Sequence, residues 1–393
     1  MCENSVQAVI LAAGEGLRLG PLTERRPKPM IPVGNQPLLE YVLEAAVAAG
    51  IDEIVLVVGH ARERIQSHFG DGHDWDVPIR YVTQAHQLGA AHALSQVEST
   101  VEDPFFVLHG DQLVEAALLE RLLDHWNATE TPTIATVQSE RPTEYGAVEV
   151  DEMAVRSVSK TPTDDPPFLV NAGAYVFDDR IFDVIRGIEA TETSDFGIAT
   201  ALQILADNDG LSAVVHRDSW QDLTYPWDLL TTNAQLLHSR PGPPDETDIS
   251  VHDSAAVSAD VALDDGVSIS PNATVLPGTS VGKNVRVGAN VTLSNCIVMS
   301  DARIGNGAVL HDCIVGESAV IGPNVTVEGG PADVVIADTV HRDVGLGGVV
   351  ADRATLRGNV TVTPGTVVGR TVRADSGTVL GGRIESGEMV RRG

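Results

Sequence analysis

The stretch VHDSAAVSADVALDDGVSISPNATVLPGTSVGKNVRVGANVTLSNCIV, residues 251–298, repeats on a period of six. Val251, Val257, Leu263, Ile269, Val275, Val281, Val287 and Leu293 stand at unbroken six-residue spacing, with small or turn-forming residues such as GKN and GAN between them. Helices do not repeat at six. Three hexads, about 18 residues, make one triangular coil with its aliphatic side chains stacked inward and its parallel strands about 4.8 Å apart. Downstream, LSNCIV (293–298) returns as LHDCIV (310–315) seventeen residues later, and Ile304-Gly305 returns as Ile321-Gly322, so one coil is a residue short. The pattern breaks over EGGPADVVIADTVHRDVGLGG (328–348), a loop or a partly inserted coil, and resumes with Val350, Leu356, Val362 and Val368.

Upstream the texture differs, and the change falls in SRPGPPDETD (239–248), whose three prolines and three acids read as an exposed linker. The expected division is a first domain over 1–240, a linker over 241–248 and a repeat domain over 249–393. In the first domain, apolar strand runs alternate with helical patterns. VQAVIL (6–11), IVLVVG (54–59), IRYV (79–82), FFVLHGD (105–111), TIATV (133–137) and LVNAGAYVF (169–177) read as strands. Helices are expected over 37–50, where Pro37 suits a first turn and Gly50 a C-terminal cap, and near 113–125, 195–208 and 226–238. Strand-helix alternation implies an α/β domain with a mainly parallel sheet covered by helices.

A length of 393 residues accommodates two such domains with sizeable cores. No run reaches the eighteen uncharged apolar residues of a membrane span, and MCENSVQAVILAAGEG lacks the basic start and cleavage site of a signal peptide. A soluble, cytoplasmic protein with no membrane partner is expected. Net charge is -29, and only Lys28, Lys160 and Lys283 among the 26 cations are lysines. Acid excess with lysine depletion fits a protein from a halophilic source, kept soluble at molar salt, where the Debye length shrinks to about 3 Å and self-repulsion costs little. No basic stripe with interleaved aromatics offers a surface to nucleic acid. Cys2, Cys296 and Cys313 suit a reducing compartment and give no metal-ligand spacing; the last two are expected to stack as buried thiols on adjacent coils.

The chemistry begins at LAAGEGLRLGPLTERRPKPM (11–30), where a strand runs into a glycine turn whose backbone N–H groups can approach phosphate oxygens. It is not a dinucleotide fingerprint, because Leu19 takes the third glycine position, nor a Walker A loop, because no Gly-Lys-Ser/Thr follows. Arg18, Arg25, Arg26 and Lys28 place four cations in eleven residues. In a chain that has nearly eliminated lysine, Lys28 between two prolines suggests an ammonium required at a fixed place.

This segment resembles the signature of sugar-1-phosphate nucleotidylyltransferases, which join a sugar phosphate to a nucleoside triphosphate, with Leu17 where that family usually has Ser or Thr. QAHQLGAAHAL (84–94) is similar to the family's pyrimidine-reading segment, HGD (109–111) to its magnesium-binding strand end, and WQDLTYPWDLLTTN (220–233) to its Trp-x-Asp segment. EYGAVEV (144–150), SVSKTP (157–162) and NAG (171–173) match its sugar-side segments, with Ser159 in place of the usual Glu. The resemblance implies a Rossmann-like nucleotidyltransferase domain followed by a hexapeptide-repeat left-handed parallel β-helix, as in archaeal bifunctional N-acetylglucosamine-1-phosphate uridylyltransferases. It implies that Leu11, Ala13, Gly14, Gly16, Gln84, Gly89 and Asp111 bind the nucleotide, UTP or dTTP. Gly146, Lys160 and Asn171 would hold the sugar 1-phosphate, Asp111 and Asp222 would bind Mg2+, and Arg18, Lys28 and Lys160 would carry the catalytic charge. Asp111 also suits a strand-end turn, Asp222 a helix entry and Gln84 a surface amide, while His92 and His109 read as packing residues.

A sugar 1-phosphate is close to doubly ionised at neutral pH and needs no general base, so positioning and charge neutralisation should carry the reaction. HDCIVGESAVIG (311–322) is similar to the family's catalytic-histidine segment, which makes His311 the candidate base for acetyl transfer from acetyl-CoA to a sugar amine. Here Ile314 replaces an aromatic and Asp338 stands where an asparagine is usual, so acetyl transfer is expected to be weak or to use a different acceptor. Two alternatives remain: a bifunctional enzyme whose β-helix also acetylates the amino sugar, and a non-catalytic homologue that binds sugar nucleotides and regulates a partner; retention of Lys28, Lys160, Asp111 and Asp222 speaks against the second. The resemblance implies a homotrimer built on the β-helix.

Overall fold

A computed structural model describes residues 6–139, 146–159, 168–188, 197–208, 210–217, 220–239 and 248–392. Lys160 therefore lies outside the described residues. The chain forms two compact units: Met1–Glu15, Arg26–Met30 and Leu38–Asp222 make the first; Gly16–Arg25, Ile31–Pro37 and Leu223–Gly393 make the second.

The first unit is built on a nine-stranded sheet. Its order is Ile79–Thr83, Glu53–Val58, Gln7–Ala12, Phe105–His109, Phe168–Phe177, Thr133–Ser139, Ser212–His216, Ala154–Ser159 and Ala147–Asp151. The first four strands are mutually parallel. Beyond them Phe168–Phe177 runs antiparallel to both neighbours, and Ala147–Asp151 and Ala154–Ser159 pair as an antiparallel hairpin, so parallel pairing holds through only part of the sheet. Alternation along QAVILA explains why the central strand reads as one apolar run. Ala8, Ile10 and Ala12 pack with Leu39, Leu43, Leu118 and Trp126 in one core, while Val9 packs with Leu94, Phe182 and Leu202 in another. Helices Leu38–Ala48, Ala116–Thr129 and Ile198–Asn208 stand where the apolar periodicity places them. Helices Arg62–Phe69, Ala90–Ser95 and Arg180–Gly187 were not anticipated. The first buries only Ile65 and Phe69, and the second is six residues long, too little to show a period.

The second unit is dominated by the β-helix, whose short strands stack in parallel ladders. The hexad residues fill its interior: Val275, Val281, Val287, Leu293, Leu310, Leu356 and Val362 all belong to one core. The short coil is visible in the register, Arg286 pairing Arg303 and Leu293 pairing Leu310. Cys296 and Cys313 pair in register, buried and free, with their Sγ atoms 3.7 Å apart. The break at 328–348 is neither a plain loop nor a partial coil: Pro331–Ile336 and Thr339–Gly345 form an antiparallel hairpin turning at Ala337-Asp338, both at positive φ. The ladder closes behind it, Cys313 pairing Gly348.

The units cut the chain differently from the linear division expected at 240. The helix Pro226–Ser239 and the segment around Gly34 pack with the β-helix, because buried Asn233 accepts from Gly34 N (2.7 Å) and donates to Gly278 O (2.8 Å). Asn35 adds a bond from its Nδ2 to Val281 O at 3.0 Å.

Candidate active site

In the first unit the strand order reverses beside Gln7–Ala12: the chain moves outward to Glu53–Val58 and Ile79–Thr83, then returns to place Phe105–His109 on the other side. In open α/β sheets this switch point leaves a crevice at the carboxyl ends of the strands, where ligands bind. The Gly14 turn follows one of the two flanking strands and Asp111 follows the other, with Leu11 and His109 paired in register just before them.

The turn is held by close backbone approaches. Leu11 O accepts from Gly110 N at 3.0 Å, and Ala13 O accepts from Gln87 Nε2 at 3.1 Å. A Cβ on Gly59 would stand 2.9 Å from Ala13 O, so the neighbouring strand end must also be glycine. A Cβ on Gly14, in contrast, would meet nothing within 4 Å. The turn therefore has room in front of it.

Lys28 sits on a short 3-10 turn, Lys28–Met30, and its ammonium meets Asp111 Oδ2 at 2.6 Å, with side-chain exposures of 12% and 28%. Burial pushes the Asp111 carboxyl up, but the Lys28 ammonium and His109 more than offset it, and the group is held below the usual carboxylate range. It is an ionised oxygen donor at the crevice. Asp222 lies on the short strand Gln221–Asp222, antiparallel to Gln112–Leu113, with Asp222 opposite Gln112. Asp111 immediately precedes Gln112 in the chain, and its ionised carboxylate is a hard oxygen donor of the kind that suits Mg2+, which needs only one or two carboxylates besides substrate phosphates. Among the described residues no cluster of three metal-ligating side chains occurs.

Gln84 is not a surface amide. It is 4% exposed, and its Nε2 lies 3.1 Å from Gly89 O and 2.9 Å from His92 Nδ1. Gly89 has φ 106, a conformation that favours glycine, and opens the helix Ala90–Ser95. Asn171 is also turned inward: Tyr175 Oη lies 2.7 Å from its Nδ2, and its Oδ1 accepts from Gly173 N at 2.9 Å. Its amide braces the irregularity in Phe168–Phe177. Gly146 stands beside it, its carbonyl accepting from Asn171 N at 3.1 Å.

The second unit holds the remaining candidates. Gly16 has φ 64 and starts the 3-10 turn Leu17–Leu19; its carbonyl accepts from Thr23 Oγ1 at 2.9 Å. Leu17 is 78% exposed. Arg18 lies over the Tyr225 ring, 5.9 Å from its centroid, and Glu24 reaches Ser386 Oγ (2.6 Å) and Arg370 Nε (3.4 Å). Tyr225, Trp227 and Gln87 were missed as single residues, although each falls inside a quoted motif. His311 is half-buried on Val309–Val315, while Ile314 on the same strand is fully buried. Asp338 is exposed at the hairpin turn.

A glycine turn, an ammonium and an ionised carboxylate at the switch point of a parallel sheet are the parts of a phosphate-handling α/β protein. Residues 7–239 match the nucleotidyl transferase family, and the chain belongs to it. Residues 257–347 match the GMPPB C-terminal domain. The chain is 33% identical over 236 residues to a protein named bifunctional protein GlmU from Methanococcus maripaludis, covering 59% of this chain and 55% of that one. It is 34% identical over 239 residues to the low-salt glycan biosynthesis nucleotidyltransferase Agl11 of Haloferax volcanii, covering 60% and 67%. To a mannose-1-phosphate guanylyltransferase of Mycobacterium tuberculosis it is 33% identical over 271 residues, covering 67% and 74%. The chain thus spans about half the length of the GlmU proteins it matches.

Proposed function

We propose that this chain forms a nucleoside diphosphate sugar and pyrophosphate from a nucleoside triphosphate and a hexose or amino-hexose 1-phosphate. The observation that carries the reading is the meeting of the Gly14 turn, Lys28 and Asp111 at the carboxyl ends of two adjacent parallel strands. Backbone N–H groups of the turn would receive the triphosphate. Lys28 and Arg18 would offset charge growing toward the leaving pyrophosphate, and Lys160 would aim the sugar phosphate oxygen in line at the α-phosphate. Asp111 and Asp222 are the residues that would hold Mg2+, which would neutralise the phosphate charges when bound. The resemblance of residues 84–94 to the family's pyrimidine-reading segment makes UTP or dTTP the expected donor. The test is a panel of UTP, dTTP, GTP, ATP and CTP against glucose, glucosamine, N-acetylglucosamine and mannose 1-phosphates, read as pyrophosphate release. GTP and mannose 1-phosphate are included because of the similarity to a guanylyltransferase. No release from any pair would refute the proposal.

The protein is further proposed to be cytoplasmic, to be adapted to high salt, as its acid excess supports, and to be trimeric through its β-helix, as the family resemblance implies. No described helix is long and apolar enough to cross a membrane. Acetyl transfer from acetyl-CoA through His311 is proposed to be weak, because the wholly buried Ile314 has no polar group to offer an acceptor. Rapid CoA release abolished by His311→Ala would overturn that.

A further inference from the structure

The hairpin Pro331–Gly345 carries a ring into the second unit that no part of the nucleotidyl chemistry accounts for. His341 pairs in register with Val334, which is 3% exposed, whereas Val335 and Val340 on the opposite face are exposed. The hairpin is seated on the β-helix: a Cβ on Gly365 would lie 3.0 Å from Val334 Cγ2 and 2.8 Å from Ala332 Cβ. That seating presents His341 to two aromatic residues at the start of the helix Pro226–Ser239. Its ring centroid lies 4.5 Å from that of Tyr225 and 5.2 Å from that of Trp227, tilted to both. Tyr225 and Trp227 are themselves stacked at 4.7 Å and 13°, and Arg18 lies over Tyr225.

We infer that His341 is a positioning residue for Arg18, acting through the Tyr225–Trp227 stack. The inference rests on the reading above that Arg18 meets the triphosphate. The physical reason is entropic and electrostatic. An exposed arginine samples many rotamers, and fixing it costs conformational entropy that a charged ligand must otherwise supply. A guanidinium over an aromatic face is held by the ring quadrupole, so the orientation of Tyr225 decides where the charge stands. Tyr225 is 6% exposed, and its ring is confined by Trp227 on one side and His341 on another. His341 Nε2 is buried with no hydrogen-bond partner among the described residues. A nitrogen left so is a cost to the fold, and hydrogen bonding therefore does not explain the placement of this ring. Its shape does.

The test compares His341→Leu, which fills the space without a ring, with His341→Phe, which keeps one. With UTP and a sugar 1-phosphate accepted by the parent protein, His341→Leu is expected to raise KM for the nucleotide about fivefold, the size of one exposed cation–π contact. KM for the sugar 1-phosphate should stay within about twofold, and His341→Phe should restore the nucleotide KM. On an Arg18→Ala background His341→Leu should add almost nothing, because the two changes remove one interaction. Equal losses with Leu and Phe, parallel losses for both substrates, or full additivity with Arg18→Ala would overturn the inference. Should His341→Leu not fold, Trp227→Leu thins the same stack and is read by the same outcomes. A parent protein that releases no pyrophosphate from any nucleotide refutes the function itself; an active parent indifferent to His341→Leu refutes only the role of His341.

Discussion

Asp111 is a charge made tolerable by its neighbour. Its carboxyl is held below its ordinary value of 3.8 against the opposing effect of burial, chiefly by Lys28. A carboxylate shifted downward stabilises the fold above its ordinary range, and that contribution is lost as pH falls through the folded value, below 3.8. Asp111→Asn is therefore expected to cost about 1–3 kcal/mol at neutral pH, by urea unfolding, and progressively less as both proteins are acidified below pH 3.8. The same variant should lose about 100-fold or more in turnover at saturating Mg2+, because a neutral amide is a poor ligand for that ion. Gly14→Ala should separate binding from folding: a Cβ there meets nothing in the protein, so melting should be unchanged while nucleotide KM rises. Lys28 was legible because the chain keeps only three lysines, and Asp111 because it ends an apolar strand. The inward turn of Gln84 and Asn171 was not. Motif position tells which residues come near a site, whereas hydrogen-bond partners supplied by His92, Gly89 and Tyr175 decide which way an amide faces.

Among the elements, the coils were the most readable, since a six-residue period repeated many times has few alternative explanations. Val281, Val287 and Leu293 are fully buried or nearly so, yet Val251 is 40% exposed, on a strand at the edge of its ladder with no second neighbour among the described residues. Position in the stack is a property that a single hexad does not carry. Leu310→Ala should cost about 2–5 kcal/mol by urea unfolding, as expected for a cavity at a fully buried site, whereas Val379→Ala, 69% exposed, should stay within about 0.5 kcal/mol. The hairpin escaped the reading for a different reason. Its turn, Ala337-Asp338, has positive φ at both residues without an Asn-Gly or Asp-Gly pair, so the strongest short hairpin signal is missing.

At the scale of the whole molecule, the acid excess and the chain's order of packing matter most. With a net charge of -29, the folded state should gain stability as carboxylate repulsion is screened, and the melting temperature should climb between low and molar KCl. A melting temperature flat over that range would remove the high-salt reading. The grouping of Gly16–Arg25 with the β-helix was beyond the reach of sequence, because it depends on contacts such as Glu24 with Ser386 that join opposite ends of the chain.

The hairpin's mode of insertion gives the β-helix a splice point. Across it Glu317 and Asp352 meet at a sequence separation of 35, where the coil below has a separation of 17, yet the strands on either side stay in register. The arm consequently lies outside the arithmetic that the solenoid imposes on its coils. Its length and its tip can be exchanged without breaking a rung, so the scaffold and the appendage that bears His341 are free to diverge at separate rates.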